Sequence, residues 1–258
     1  MRCSRKNSCL NQLKRAALFL SAALPFVVLS FFIASRLTSD GDTGGVRGAR
    51  AGQPGEAIPA DIGGAYSESV MAAVKSMGLS RGHLDAWQAE HPDSALRHVK
   101  YMSAEQQRTV ASTAIFIRKS NGRIDAKTAW REAAALVHYS GKYGVPSTLS
   151  TAVAQVESTF DPNAVSPKGA SGVMQVMWRI HNGLLTSNGI QPAPGKNPLA
   201  DPEYAIAAGC LILSRYIKTY GSVQAAIDRY YGKSSASYQR KVNSSMARIL
   251  THRSQVFN

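Results

Sequence analysis

Apolar positions in this chain fall into two regimes: one unbroken run near the amino terminus, then a long series of stripes at helical spacing. The run from Ala16 to Ala34 reads AALFLSAALPFVVLSFFIA and contains no charge. Coiled as a helix, those 19 residues would span roughly 28 Å, close to the ~30 Å of a bilayer's hydrocarbon layer. Pro25 costs less there than in water, because membrane helices accommodate a local kink. Residues 37–63, rich in Gly, Ala, Asp and Pro, lack the large apolar side chains needed for a core and read as a flexible spacer.

Beyond Gly64 the period is that of helices. An amphipathic helix over 66–78 places Val70, Val74 and Met77 on one stripe, with Gly78 as its stop. Shorter candidates cover 84–89 and 95–102. A helix over 103–118 opens on Ser103 with Gln106 three residues on, the pattern of a capping box. The helix over 128–143 gathers Ala129, Ala133, Leu136, Val137 and Ser140 on one face. Another begins at Pro146, a favoured early position, and runs to Phe160. After a stretch rich in Gly, Pro and Ser, a short helix is expected over 174–180, then a long loop over 181–200 broken by Gly183, Gly189 and three prolines. Helices over 203–220, 223–231 and 237–252 follow, the last turning Tyr238, Val242, Met246, Ile249 and Leu250 inward. Alternating strand-type runs are scarce, so the fold class is all-α. The organisation is a cytoplasmic tip and membrane anchor (1–36), a linker (37–63), a small helical extension of unknown role (64–125) and a main helical domain (126–258).

Charge refines this layout. The chain carries 30 Lys and Arg against 16 Asp and Glu, a formal +14. Six of those bases precede residue 37 and no acid precedes Asp40, leaving a net +8 on the remaining 222 residues. Five bases lie before the apolar run and only Arg36 closely after it, which keeps the amino end cytoplasmic and exports the rest. A cleaved signal peptide is the rival reading, but its apolar region is usually shorter, about 7–15 residues, and Ile33-Ala34-Ser35-Arg36 makes a poor cleavage site. The exported excess suits an anionic polymer or a solvated basic surface, and composition does not choose between them. Nucleic acid is the weakest partner, since export removes the basic domain from it and no motif of that class is present. Cys3 and Cys9 fall on the cytoplasmic side. Cys210 is alone beyond it among Ala207, Ala208, Leu211 and Ile212, which suits core packing better than thiol chemistry. No metal-ligand spacing stands out, and no cofactor is called for.

One carboxylate draws notice. On the helix ending near residue 160, Leu149, Ala152, Val153, Val156 and Phe160 make the apolar stripe, and Glu157 lies at its border. Partial desolvation there raises a carboxylate's pKa, as a group that must give a proton to a leaving oxygen requires. A border Glu is more commonly a solvated helix flank, so position alone decides little.

The surrounding residues add more. Glu157-Ser158, then Pro162-Asn163-Ala164-Val165-Ser166-Pro167-Lys168-Gly169-Ala170, then Gly172-Val173-Met174-Gln175 resemble the signature of lytic transglycosylases with a goose-lysozyme-like catalytic domain. A later block, Ala225 to Gly232, is similar to that family's Ala-x-x-x-Tyr-Asn-Gly motif, with Tyr231 where Asn is usual. The resemblance covers roughly residues 128–250. It implies a lysozyme-like helical fold and cleavage of peptidoglycan between N-acetylmuramic acid and N-acetylglucosamine, without water, leaving 1,6-anhydro ends. It further implies that Glu157 is the single catalytic residue, acid and then base, and that Ser158 contacts the sugar. Met174 and Gln175 would line the cleft, Tyr230 would orient Glu157 through its hydroxyl, and Tyr231 stands in the same block. Asp161, before Pro162, reads as a turn former. Trp178, where the family often has Pro, is either a sugar-stacking platform or a core plug, and His181 opens a loop that could touch glycan.

The expected partners are therefore peptidoglycan strands, the inner membrane through residues 16–34, and an envelope machine docked by residues 64–125, with the catalytic domain in the periplasm. Two alternatives stay open: a hydrolytic muramidase on the same fold, and a non-catalytic wall-binding module.

Overall fold

The computed structural model describes residues 64–191 and 198–257; the expected anchor and linker lie outside the described residues. Among the described residues no helix is long and apolar enough to cross a membrane. These residues form ten α-helices and a short 3-10 turn, with no strand beyond isolated bridges. The helices are α1 (Glu68–Ser76), α2 (Arg81–Glu90), α3 (Leu96–Val99), α4 (Ala104–Ser120), α5 (Ala126–Tyr143), α6 (Ser147–Ser158), α7 (Trp178–Ser187), α8 (Pro202–Tyr220), α9 (Val223–Tyr231) and α10 (Ala236–Val256). The all-α expectation holds for this part of the chain.

Local chemistry sets most of the boundaries. The Ser103 hydroxyl accepts from the Gln106 amide, while the Gln106 side chain accepts from the Ser103 amide, closing the anticipated capping box. The Asp125 and Asp201 carboxylates cap α5 and α8 by accepting the first free backbone N–H groups. Gly144, Gly221 and Gly232 end α5, α8 and α9 in the left-handed conformation.

α5 is the central helix, with Trp130, Ala133, Leu136 and Ser140 buried, and it packs against α4, α6 and α8. α8 is buried continuously from Ala205 to Ser214. α10 crosses α6 and α4. The same apolar core continues into the amino-terminal helices through Val70, Val74, Leu84, Leu96 and Val99. Polar contacts reinforce that join. The buried Glu203 of α8 accepts from the Ser94 hydroxyl (2.6 Å), the Ala95 amide (2.6 Å) and Arg131 Nε of α5 (2.7 Å), while Arg131 also pairs with Asp201 (2.8 Å). Residues 64–125 thus share one core with the helices that follow them.

Two expectations need correction. The short helix placed over 174–180 is instead α7, Trp178–Ser187, so the first part of the expected 181–200 loop is helical. Residues 171–176 are occupied otherwise: the Ser171 and Val176 amides and carbonyls pair reciprocally at 3.1 Å, a bridge that helix would forbid. Gly183, read as a breaker, lies in α7 with open space where a side chain would be. Leu250, expected inside, is 55% exposed, and the inner stripe of α10 is Tyr238, Val242, Ser245 and Ile249.

Candidate active site

α6 delivers Glu157 in its last turn, and the chain then turns sharply: Thr159 (φ 53°) and Phe160 (φ 63°) both adopt the left-handed region. Side chains pay steric strain for that conformation. It is held here because Phe160 is fully buried and the Thr159 carbonyl accepts from Asn121 Nδ2 (3.0 Å). The reversal lets residues 161–176 fold back over the end of α6. Asp161 forms the anticipated turn, its carboxylate accepting from the Asn163 amide (2.9 Å).

That segment is knit to α6 by the residues singled out in the sequence. The Ser158 hydroxyl donates to the Val173 carbonyl (2.7 Å). Gln175, also left-handed (φ 47°), donates from Nε2 to the carbonyls of Ala164 (2.9 Å) and Gly172 (3.1 Å). Gly172 (φ 75°) has no room for a side chain, since a Cβ would lie 2.3 Å from the Leu199 carbonyl oxygen. Met174 is fully buried, and its side chain fills the space left by Gly209 on α8, where an added Cβ would meet its sulfur at 2.4 Å. Met174 therefore packs the floor beneath the site, a correction to its expected place as a side chain lining the cleft.

Glu157 itself is half-buried, and its Oε1 accepts a hydrogen bond from the Tyr238 hydroxyl at the start of α10. Burial pushes the Glu157 carboxyl above its ordinary value, and the Tyr238 hydrogen bond opposes that shift. The Tyr238 hydroxyl is in turn pushed up by its burial and by the Glu157 charge, so it remains a donor. Tyr231 is 45% exposed and stacks on the Tyr238 ring (centroids 4.4 Å apart, planes 16°), fixing the ring that holds the carboxylate.

The phenol on Glu157 is thus not the one anticipated. Tyr230 donates to the Met174 carbonyl (2.8 Å) and tethers α9 to the loop. Tyr238 was legible only as an inward-facing residue, and the 81 positions separating it from Glu157 hide the contact. A signal was nonetheless present, because a buried tyrosine hydroxyl needs a partner. Trp178 is half-buried at the start of α7 and packs against the core, while His181 meets the edge of Tyr216 (6.4 Å). Cys210 is fully buried, and burial pushes its thiol up to about 12, as core packing predicts.

Residues 135–248 match the family model described as a transglycosylase SLT domain. Over 94 residues the chain is 38% identical to proteins named membrane-bound lytic murein transglycosylase C from Yersinia pestis (strain Pestoides F) and Yersinia pseudotuberculosis serotype O:1b (strain IP 31758). Each alignment takes in 36% of this chain and 26% of the relative, so the chain spans about a quarter of the length of the curated relatives it matches.

Proposed function

We propose that this chain, whose residues 135–248 match the transglycosylase SLT domain, is a peptidoglycan lytic transglycosylase with Glu157 as its one acid/base group. The observation that carries this reading is the Glu157 carboxyl, half-buried, raised in proton affinity by that burial, and held by the Tyr238 hydroxyl.

The chemistry follows from a group that begins protonated. Glu157 gives its proton to the oxygen of the β-1,4 bond between N-acetylmuramic acid and N-acetylglucosamine, and the bond from muramic C1 to that oxygen breaks. The neighbouring N-acetyl group supports C1 as the bond opens. The now ionised Glu157 takes the proton of the muramic 6-hydroxyl, whose oxygen bonds to C1 and closes the 1,6-anhydro ring. The proton balance of Glu157 is restored and no water is consumed. Glycosidases that hydrolyse usually employ two carboxylates; in this reading the muramic 6-hydroxyl takes the place of the activated water and Glu157 serves both steps.

Ser158 and Gln175 act by fixing the loop that returns over α6, leaving that backbone and the exposed Tyr231 edge to meet sugar. Tyr230 shapes the floor through the Met174 carbonyl. The relatives are named membrane-bound; for this chain, the uncharged run 16–34 with bases before it supports an inner-membrane anchor and a periplasmic catalytic domain.

The test is release of soluble fragments from purified murein by the full chain. Glu157→Gln should cut the rate about 10²–10⁴-fold, the usual share of a general acid/base, with the fold intact by circular dichroism. Equal rates from both proteins would remove Glu157 from the mechanism.

A further inference from the structure

Behind α6, on the side away from Glu157, the surface is concave. A groove of about 960 Å³ runs between α4, α6 and α10. Its floor includes Phe116 and Val156, and its walls carry Lys119, Arg240, Lys241 and Arg248. No carboxylate lines it, and the ion pairs found among the described residues all lie elsewhere. Four cationic side chains gathered without a counter-charge give the groove a positive field that attracts an anionic occupant. His252 also lines the groove, and its proton affinity is lowered by burial and then by Lys119.

The groove is also prepared for hydrogen bonds. Gln155 is fixed there, its Nε2 donating to Ser120 Oγ (3.0 Å) and its Oε1 accepting from Ser245 Oγ (2.6 Å) and Arg248 Nη2 (3.1 Å). Arg248 is thereby set within the groove, while Lys119, Arg240 and Lys241 project from exposed positions. Thr159, Ser237 and Ser244 add hydroxyls.

Its location relates it to Glu157. Gln155 and Thr159, about one turn apart, face the groove, and Glu157 between them faces the other way, toward Tyr238. Ser237, at the groove's edge, immediately precedes Tyr238. The groove therefore starts one residue from the side chain that holds the catalytic carboxylate. A four-residue extended peptide spans roughly 13 Å, enough to follow α10 from Ser237 to about Ser244.

From this arrangement we propose that the groove binds the carboxylate-bearing peptide stems of murein while the glycan lies at Glu157. This rests on the reading of murein as substrate and adds which part of it the basic face recognises. A concave trough with an apolar floor, hydroxyls and cationic walls suits an extended acidic peptide, with carboxylates on the cations and methyl groups on Phe116 and Val156. A flat headgroup plane would meet only its rim.

The test measures binding by the full chain carrying Glu157→Gln, which prevents turnover. One polymer is intact murein and the other is the same murein stripped of its peptides by an amidase. Intact murein should bind more tightly, and Lys119→Gln/Arg240→Gln/Lys241→Gln should lose that preference by roughly tenfold, as three exposed ion pairs allow, with unchanged melting temperature. The preference should also fade with added salt. Equal affinity for both polymers, or an unaltered preference in the triple variant, would overturn the proposal. So would an intact preference accompanied by lost binding to phosphatidylglycerol vesicles, which would assign the groove to lipid. Failure of the catalytic reading shows separately, as absence of soluble fragments from the chain with Glu157 restored.

Discussion

A glutamate in water gives up its proton at about pH 4.3, too readily for a group that must still hold one near neutrality. Burial raises that value for Glu157, and Tyr238 draws it back by donating to the ionised form. The two influences separate in a single variant. Tyr238→Phe removes the donor, so Glu157 should hold its proton to higher pH and the alkaline limb of the pH–rate profile should move up. The maximal rate should fall about tenfold, the loss of roughly 1.4 kcal/mol of orientation. A lower rate with an unmoved profile would reduce Tyr238 to packing.

Glu132 of α5 offers a contrast at the same scale. It is fully buried, neither carboxyl oxygen has a hydrogen-bond partner, and burial holds its proton affinity well above the ordinary value. A folded-state pKa above the unfolded one means that its contribution to stability is present in acid and is lost as pH rises through the folded value. Glu132→Gln, neutral throughout, should therefore melt at a higher temperature than the parent at alkaline pH, with the gap narrowing toward pH 4. A constant gap from pH 4 to pH 9 would contradict this. Its helix face was legible in the sequence through Ala129, Ala133 and Leu136. Its full burial was not, because residue type argues against it.

Among the elements, those with a strong period and a polar cap were readable and those set by long-range pairing were not. α9 coincides with its expected bounds, and α4 opens on the capping box that Ser103 and Gln106 announce. α7 was misplaced because the Ser171–Val176 bridge draws residues 171–176 out of helix, a contact that no local pattern encodes. The join of α3 to α5 was hidden in the same way. There His98 and His138 stack in parallel with centroids 4.2 Å apart, and Arg97 Nε donates to His98 Nε2 (3.3 Å). The charges bearing on the pair, Arg97 and Lys142, are both positive. Burial and those cations lower both imidazoles, His138 to about 4. A folded pKa below the unfolded one places this stability above the ordinary histidine value and removes it as pH falls from about 6.5 toward 4. The melting temperature should drop over that interval, and His138→Phe should flatten the drop. An equal slope in the variant would place the acid sensitivity elsewhere.

At the scale of the molecule, the boundary expected near residue 125 is crossed by one apolar core and by the Glu203–Arg131–Asp201 network with Ser94. The amino-terminal helices thereby support α5 and α8, which in turn carry the floor under Glu157 through Gly209 and Met174. Glu157 and its loop were readable because Glu157 to Gln175 is one contiguous stretch. The phenol that completes the site arrives from α10, and only folding brings it there. What these parts add up to is a half-buried carboxyl held by a phenol from a distant helix, beside a loop that folds back over α6. The most direct test is to digest murein with the full chain in water labelled with heavy oxygen and to weigh the released muropeptides. The expected products are 1,6-anhydromuramic ends that carry no label. Reducing ends that carry one labelled oxygen would contradict the proposed reaction and make water, not the muramic 6-hydroxyl, the nucleophile.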